Sequence, residues 1–135
     1  MMNKRIDPTR SLTRSNAKPE PKTSPKPAWP QIVEIMHDVS LCYIHEVVKV
    51  VYSVDREKRI VLLKRKDGFY QFRFERLVEY DDYEWEYISR GPDPLPGYWN
   101  EFGSRGVSLF GTEQEAWNEI KRSPEYITYF SDLSF

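Results

Sequence analysis

The residues with the chemistry of a nucleophile lie between positions 37 and 46, where one cysteine stands between two histidines. A thiol near a histidine can act as a cysteine nucleophile, because the base lowers the thiol pKa and makes thiolate. The spacing does not support this chemistry, since His45-Glu46 lacks the second histidine of a helical H-E-x-x-H zinc site. We therefore interpret Cys42 as a small buried hydrophobic residue and expect no catalytic residue. A small cysteine-dependent enzyme is kept as an alternative.

Motifs for cofactor and metal binding are missing from the sequence. The glycines between positions 91 and 111 form neither a P-loop nor a dinucleotide-binding G-x-G-x-x-G. One cysteine and two histidines are too few for a four-ligand zinc site, and a single cysteine cannot form an internal disulfide. We expect no metal, no cofactor and a non-enzymatic function.

The segment 79–102 is acidic and aromatic, with seven Asp and Glu residues against Arg90 alone. Tyrosine and tryptophan offer large contact areas at little cost in rotamer entropy, and clustered carboxylates attract a basic partner. We predict a partner-binding surface composed of Asp81, Asp82, Tyr83, Glu84, Trp85, Glu86, Tyr98, Trp99 and Glu101. The alternative is that the rings complete the core while the carboxylates only solvate a loop.

The N-terminal residues differ from the rest in charge and composition. Residues 1–30 contain seven Lys and Arg against two acidic residues, and six of the ten prolines, whereas the remainder has a net charge of −6. Few of these residues can build a core. We predict a disordered, basic, proline-rich tail over 1–29 and a single folded domain over 30–135. Basic tails can bind nucleic acid, so a nucleic-acid-binding accessory protein is a second alternative function.

The size and hydropathy of the chain limit its class. Its 135 residues can form one compact domain, and its hydrophobic (39%) and aromatic (15%) content is too high for a wholly disordered chain. No apolar run approaches the about 18 residues of a transmembrane helix, and prolines stand where a signal peptide needs apolar residues. We expect a cytoplasmic protein without a membrane partner.

Hydrophobic periodicity predicts an α+β fold. A helix is expected over 30–40, strands over 43–54, 59–65, 69–78 and 84–88, a loop over 91–97, and a short strand over 107–110. Thr112 and Glu115 fit a capping box that opens a helix over 113–122, and Ser123-Pro124 starts a second helix anchored by Tyr126, Ile127 and Phe130. The order predicts an antiparallel β-meander of three to five strands, with an N-terminal helix and one or two C-terminal helices packed on it.

The two hairpins of this meander predict its register. Asp67-Gly68 is expected as a two-residue turn, and 55–58 as a four-residue turn. Both turns then predict the same apolar rows, Tyr52/Val61/Phe74 and Val50/Leu63/Phe72. The reverse face, mostly solvated, would carry Lys49, Lys64, Gln71, Arg73 and Glu75, with Val51 and Leu62 as its apolar centre.

Over residues 45–122 the chain resembles the small bacterial immunity proteins of polymorphic toxin systems. The resemblance lies in an Asp-Gly turn with following aromatics (Asp67, Gly68, Tyr70, Phe72), the acidic aromatic segment, and the sequence SLFGTEQEAWNEI over Ser108–Ile120. It implies a non-enzymatic inhibitor that binds a cognate toxin, often a basic nuclease, and blocks its cleft. The basic tail is not part of that layout. The sequence does not indicate the oligomeric state.

Overall fold

The computed structural model describes residues 25–103 and 108–131. The backbone divides into two compact units. One is the α2 unit, named after its helix α2 (Asp82–Ile88), and its described residues are 25–26 and 81–94. The other is the sheet unit, whose described residues are 27–80, 95–103 and 108–131. Most of the predicted tail, residues 1–24, lies outside the described residues.

The elements confirm the predicted α+β class. They are α1 (Trp29–Ile35), β1 (Glu46–Tyr52), β2 (Lys58–Lys64), β3 (Tyr70–Glu79), α2 (Asp82–Ile88), β4 (Gly97–Glu101), α3 (Glu113–Arg122) and α4 (Pro124–Tyr129). The four strands form an antiparallel sheet in the order β1-β2-β3-β4, which is the predicted meander. In the described ranges no helix is both long and apolar enough to span a bilayer.

Helices cover both faces of the sheet. On one face Val51, Ile60 and Phe74 pack against Ile120 of α3 and Phe130, the residue that ends α4. On the other face the α1 residues Ile32, Val33 and Met36 pack with Leu77 of β3 and with the half-buried Trp99 of β4. Strand β2 is therefore enclosed from both sides, and Arg59 to Leu63 are all buried.

The predicted register is wrong in both hairpins. Leu62 pairs with Phe72, because Gly68 has φ +91° in a three-residue loop over 66–68 instead of a two-residue turn. Val50 pairs with Val61, because the first loop spans 54–57 and closes through Ser53 and Lys58. The apolar row that forms is Val51/Ile60/Phe74, and Tyr52 and Val61 lie on the opposite face from Phe74. Glu75, placed on the solvated face by the prediction, is buried.

Two segments have a secondary structure different from the one predicted. The expected strand 84–88 is helix α2, whose Asp81-x-x-Glu84 capping box is a local signal for a helix start. The edge strand β4 begins at Gly97, inside the expected loop. The N-terminal helix ends at Ile35 rather than near 40, and β1 begins at Glu46 rather than 43.

The C-terminal helices follow the prediction closely. The Thr112 side chain accepts the Glu115 N–H at 3.1 Å, and the Glu115 carboxylate accepts the Thr112 N–H at 3.2 Å. Phe130 is fully buried as expected, whereas Ile127 is exposed and anchors nothing. Of the expected strand 107–110, Phe110 forms one bridge with Tyr70, and Val107 lies outside the described residues.

Candidate functional site

Helix α2 and its N-cap residue Asp81 carry the first six residues of the predicted surface, and two reciprocal hydrogen bonds fix the start of the helix. The Asp81 carboxylate accepts the Glu84 N–H at 2.7 Å, and the Glu84 carboxylate accepts the Asp81 N–H at 2.9 Å. Acidic residues in the first turn also interact favourably with the helix dipole. Two of the carboxylates predicted to meet a partner are therefore already used to form the helix.

The exposed face of α2 consists of two tyrosines and two acids. Tyr83 and Tyr87 are 83% and 80% exposed and lie one helical turn apart. The Asp82 side chain is 95% exposed, and Glu86 is exposed as well. An open groove of about 480 Å³ follows this face, lined by Tyr83, Glu84, Glu86, Tyr87, Ile88 and Arg90. The exposed face of α2 therefore offers aromatic rings and negative charges side by side to the solvent.

Trp85 does not share this exposure. Its residue is only 7% exposed, because an α-helix turns the side chain at position 85 away from those at 83 and 87. The expectation that Trp85 stays open to solvent is wrong. Truncating it is expected to destabilise the α2 unit before it affects any contact with a partner.

One residue of the basic N-terminal segment contacts α2. The Lys26 ammonium lies 3.3 Å from the Asp82 carboxylate, and the Lys26 side chain is 21% exposed. Because the Asp82 side chain is almost fully solvated, this ion pair contributes little to stability. Its value is positional, since it places Lys26 beside the first turn of α2 within the α2 unit.

Tyr98, Trp99 and Glu101, the other predicted contact residues, lie on β4 in the sheet unit. Trp99 has a structural role: its indole N–H donates to the Met36 carbonyl at 2.9 Å, and its ring packs with α1. Tyr98 is 40% exposed with its ring 5.3 Å from that of Tyr80. Glu101 lies 3.5 Å from Arg73.

A buried ionic cluster, not evident in the sequence, lies beneath the loop that joins α1 to β1. Arg59 is fully buried, and its Nε donates to the 2%-exposed Glu75 at 2.8 Å. Arg73 Nε and the Tyr43 hydroxyl also donate to the Glu75 carboxylate, at 2.9 Å and 2.8 Å. The Arg59 guanidinium further lies over the Trp99 ring, 4.2 Å from its centre.

The same guanidinium holds the loop. Arg59 donates to the Val39 carbonyl at 2.8 Å and to the Ser40 carbonyl at 3.2 Å. Asp38 and Ser40 have φ values of 58° and 60°, in the left-handed region that costs energy for residues other than glycine. The buried cluster therefore holds a strained loop against the sheet, which accounts for the presence of an arginine among the buried residues of β2.

Cys42 is exposed, so its predicted burial is wrong. Cys42 and His45 line one open groove of about 600 Å³ in the sheet unit, together with Tyr43, Ile44, Leu63, Arg65, Gln71, Phe72, Arg73, Glu101 and Leu109. Arg65 forms an ion pair with Asp67, and Arg73 forms ion pairs with Glu75 and Glu101. Among the described residues no three His, Cys, Asp or Glu side chains are grouped to hold a metal ion.

Comparisons with protein-family models, with curated proteins and with solved structures find no match to this chain. Function is therefore inferred from the side chains and their arrangement.

Proposed function

We propose that the protein is a cytoplasmic, non-enzymatic inhibitor that binds a basic protein through the exposed face of α2. The observation that carries the proposal is the pair Tyr83 and Tyr87, both at least 80% exposed and flanked by the exposed carboxylates of Asp82 and Glu86. Exposed tyrosines one turn apart match the i, i+4 spacing of anchors on helices that dock into grooves. Rigid aromatic side chains are typical anchors of protein interfaces.

We further propose that the partner is a bacterial toxin, a basic nuclease being the first candidate, and that the chain acts as its immunity protein. A nuclease presents a positive cleft for phosphates, and carboxylates on α2 can occupy those positions. Long-range attraction between unlike charges also accelerates association, which suits an inhibitor that must act at once. The resemblance over residues 45–122 supports the same conclusion.

The test is neutralisation of the toxin encoded beside the chain, since immunity genes normally follow their toxin genes. The upstream reading frame is expressed alone and together with this chain, and growth is measured. We expect the product to arrest growth alone and the chain to restore it. A harmless upstream product, or one that the chain does not bind, would contradict the proposal.

Surface variants then locate the contact. Tyr83→Ala with Tyr87→Ala is expected to weaken binding at least about 30-fold, mostly through faster dissociation. Asp82→Lys is expected to slow association about tenfold and to reduce its dependence on salt. The matched controls are Ile44→Ala, 91% exposed in the sheet unit, and Glu34→Lys on the exposed side of α1, and both should bind like the original chain. Equal losses in variants and controls would place the contact elsewhere.

A further inference from the structure

The groove of about 600 Å³ in the sheet unit, which we call the sheet groove, is built from strand and loop residues. Leu63, Gln71 and Arg73 share one face of the sheet there, because Leu63 pairs with Gln71 and side chains alternate along β3. The segment 42–45 before β1 and Leu109 complete the lining. The sheet groove takes no part in the proposed binding through α2.

Ile44 lies at the edge of the sheet groove and does not fill it. Although it lines the groove, this residue is 91% exposed, and Leu109 of the same lining is 41% exposed. Phe72, half-buried, adds further apolar surface to the lining. Apolar residues that are exposed together beside a groove mark an interaction surface.

The fold holds Ile44 in place from both sides. Before it, Tyr43 donates its hydroxyl to the buried Glu75 at 2.8 Å, and Arg59 donates to two carbonyls of the same loop. After it, β1 begins at Glu46. The side chain is therefore presented in a fixed position, and little conformational entropy is lost when a second molecule covers it.

The charges beside the sheet groove show what kind of molecule can cover it. Arg65 lies 2.8 Å from Asp67, and Arg73 lies 3.5 Å from Glu101, so both signs stand side by side. Such a surface can meet its own copy, turned by 180°, with unlike charges opposed, whereas a partner of one sign faces a like charge at each pair. We propose that a second copy of this chain docks here, with the Ile44 side chain of each copy inserted into the sheet groove of the other.

The size of the sheet groove sets the strength of this contact. Eleven described residues line it, whereas a standard interface involves about 20–30 residues on each side. The two copies therefore form a weak dimer, for which we expect a dissociation constant of about 10–100 µM.

Sedimentation equilibrium of the full chain between about 5 and 500 µM measures this association. The original chain is expected to change from monomer to dimer over that range, and Ile44→Asp to raise the dissociation constant at least about 30-fold. Val54→Asp is the matched control, because Val54 is 71% exposed and lies beyond the opposite end of β1. Both side chains are exposed, so neither substitution is expected to unfold the chain, and the control should dimerise like the original.

The reactivity of Cys42 locates the contact. Cys42 lines the sheet groove and is the single cysteine of the chain, so its alkylation by iodoacetamide reports on this surface alone. Between about 5 and 500 µM protein the alkylation rate should fall about threefold in the original chain and in Val54→Asp, since a dimer of the expected strength covers most copies. In Ile44→Asp the rate should stay constant.

Three results would overturn the proposal. A chain that stays monomeric at the highest concentration has no such interface. Equal weakening in Ile44→Asp and Val54→Asp would indicate general charge repulsion without a docking site. A dimer that leaves Cys42 as reactive as the monomer would use another surface. Since no partner is present, each result is independent of whether the chain inhibits a basic protein.

Discussion

Arg59 and Glu75 form the most consequential pair of side chains in the sheet unit. Both are buried, and an ion pair in that position is stabilising only when its remaining donors and acceptors are also satisfied. Here they are satisfied, since Arg59 reaches two loop carbonyls and Glu75 accepts from Arg73 and Tyr43. Sequence could not reveal the pair. Arg59 at the start of β2, and Glu75 alternating with Arg73 along β3, are patterns typical of solvated faces. Only the strand register, which pairs Arg59 with Glu75, places the two side chains in contact.

Removing one partner of this pair tests its role. Arg59→Met is expected to lower the free energy of unfolding by about 3 kcal/mol, because the Glu75 carboxylate stays buried with one ionic partner fewer. The exposed pair of Arg65 with Asp67 is the control, and Arg65→Met should cost less than about 1 kcal/mol. Urea denaturation measures both. Similar costs at the two sites would show that the buried cluster does not stabilise the loop.

Tyr43 gives the cluster a dependence on pH. Burial, the hydrogen bond to Glu75 and the charge of Glu75 raise the pKa of Tyr43 to about 12, against the opposing effect of Arg59. The phenol therefore keeps its proton in the folded chain at a pH where the unfolded chain, with its ordinary pKa of 10.0, has lost it. The associated stability is fully present below pH 10 and is lost as the pH rises towards 12.

The measurement is the free energy of unfolding between pH 9 and 12. The original chain should lose on the order of 1 kcal/mol through Tyr43, a figure reduced for the partial exposure of the phenol. Tyr43→Phe should reduce the dependence of the unfolding free energy on pH. Tyr52, whose pKa is also raised by burial, should account for part of the dependence that is left. An identical slope in Tyr43→Phe would contradict the assignment.

At the scale of elements, local sequence signals predict the C-terminal helices correctly, whereas the alternation of residue types does not predict the strand register. Helix α3 was predictable because its capping box and apolar face lie within a few residues of one another. The register failed because β2 is buried on both faces, so alternation along Arg59–Leu63 carries no information about which face is which. The alternation of Trp85 and Tyr87 predicts a strand where helix α2 forms, although Asp81 and Glu84 indicate a helix cap.

Strand β4 begins at Gly97, where its backbone lies very close to β3. Gly97 pairs with Glu79, and a Cβ at this position would meet the Val78 carbonyl oxygen and lie 3.3 Å from the Glu79 Cα. Only glycine lets the edge strand approach β3 so closely. Gly97→Ala is expected to destabilise the sheet unit by about 2 kcal/mol through this overlap.

Urea denaturation and hydrogen exchange of the Val78 and Tyr98 amides, which face each other across the β3–β4 pair, test this expectation. The exchange protection of both amides should fall in Gly97→Ala, since they lie on the paired strands. Gly91→Ala is the control, because a Cβ there would meet only the Ile88 carbonyl oxygen at an ordinary 3.5 Å. Unchanged protection in Gly97→Ala would mean that β4 can shift outward at no cost.

At the scale of the whole molecule, the connection from β3 to β4 separates stability from the proposed binding. The connection contains residues 81–94 of the α2 unit. Its base is closed inside the sheet unit by the Glu79–Gly97 pair and by the Tyr80 N–H donating to the Pro96 carbonyl at 3.0 Å. Core residues of the sheet come from α1, the strands, α3 and Phe130. The residues proposed to bind a partner, Asp82, Tyr83, Glu86 and Tyr87, lie in the connection.

This separation predicts that residues 81–94 can be replaced by Asn-Gly without unfolding the sheet unit. The hairpin base persists, and a shorter connection costs less closure entropy, about 0.6 kcal/mol for each halving of its length. The free energy of unfolding should therefore stay within about 2 kcal/mol of the original, while neutralisation of the partner is abolished. A second variant with a Gly/Ser segment of the original length distinguishes loop length from loop content. If both variants lose the cooperative unfolding transition, the sheet unit depends on α2 for its fold, and binding and stability are not separable in this chain.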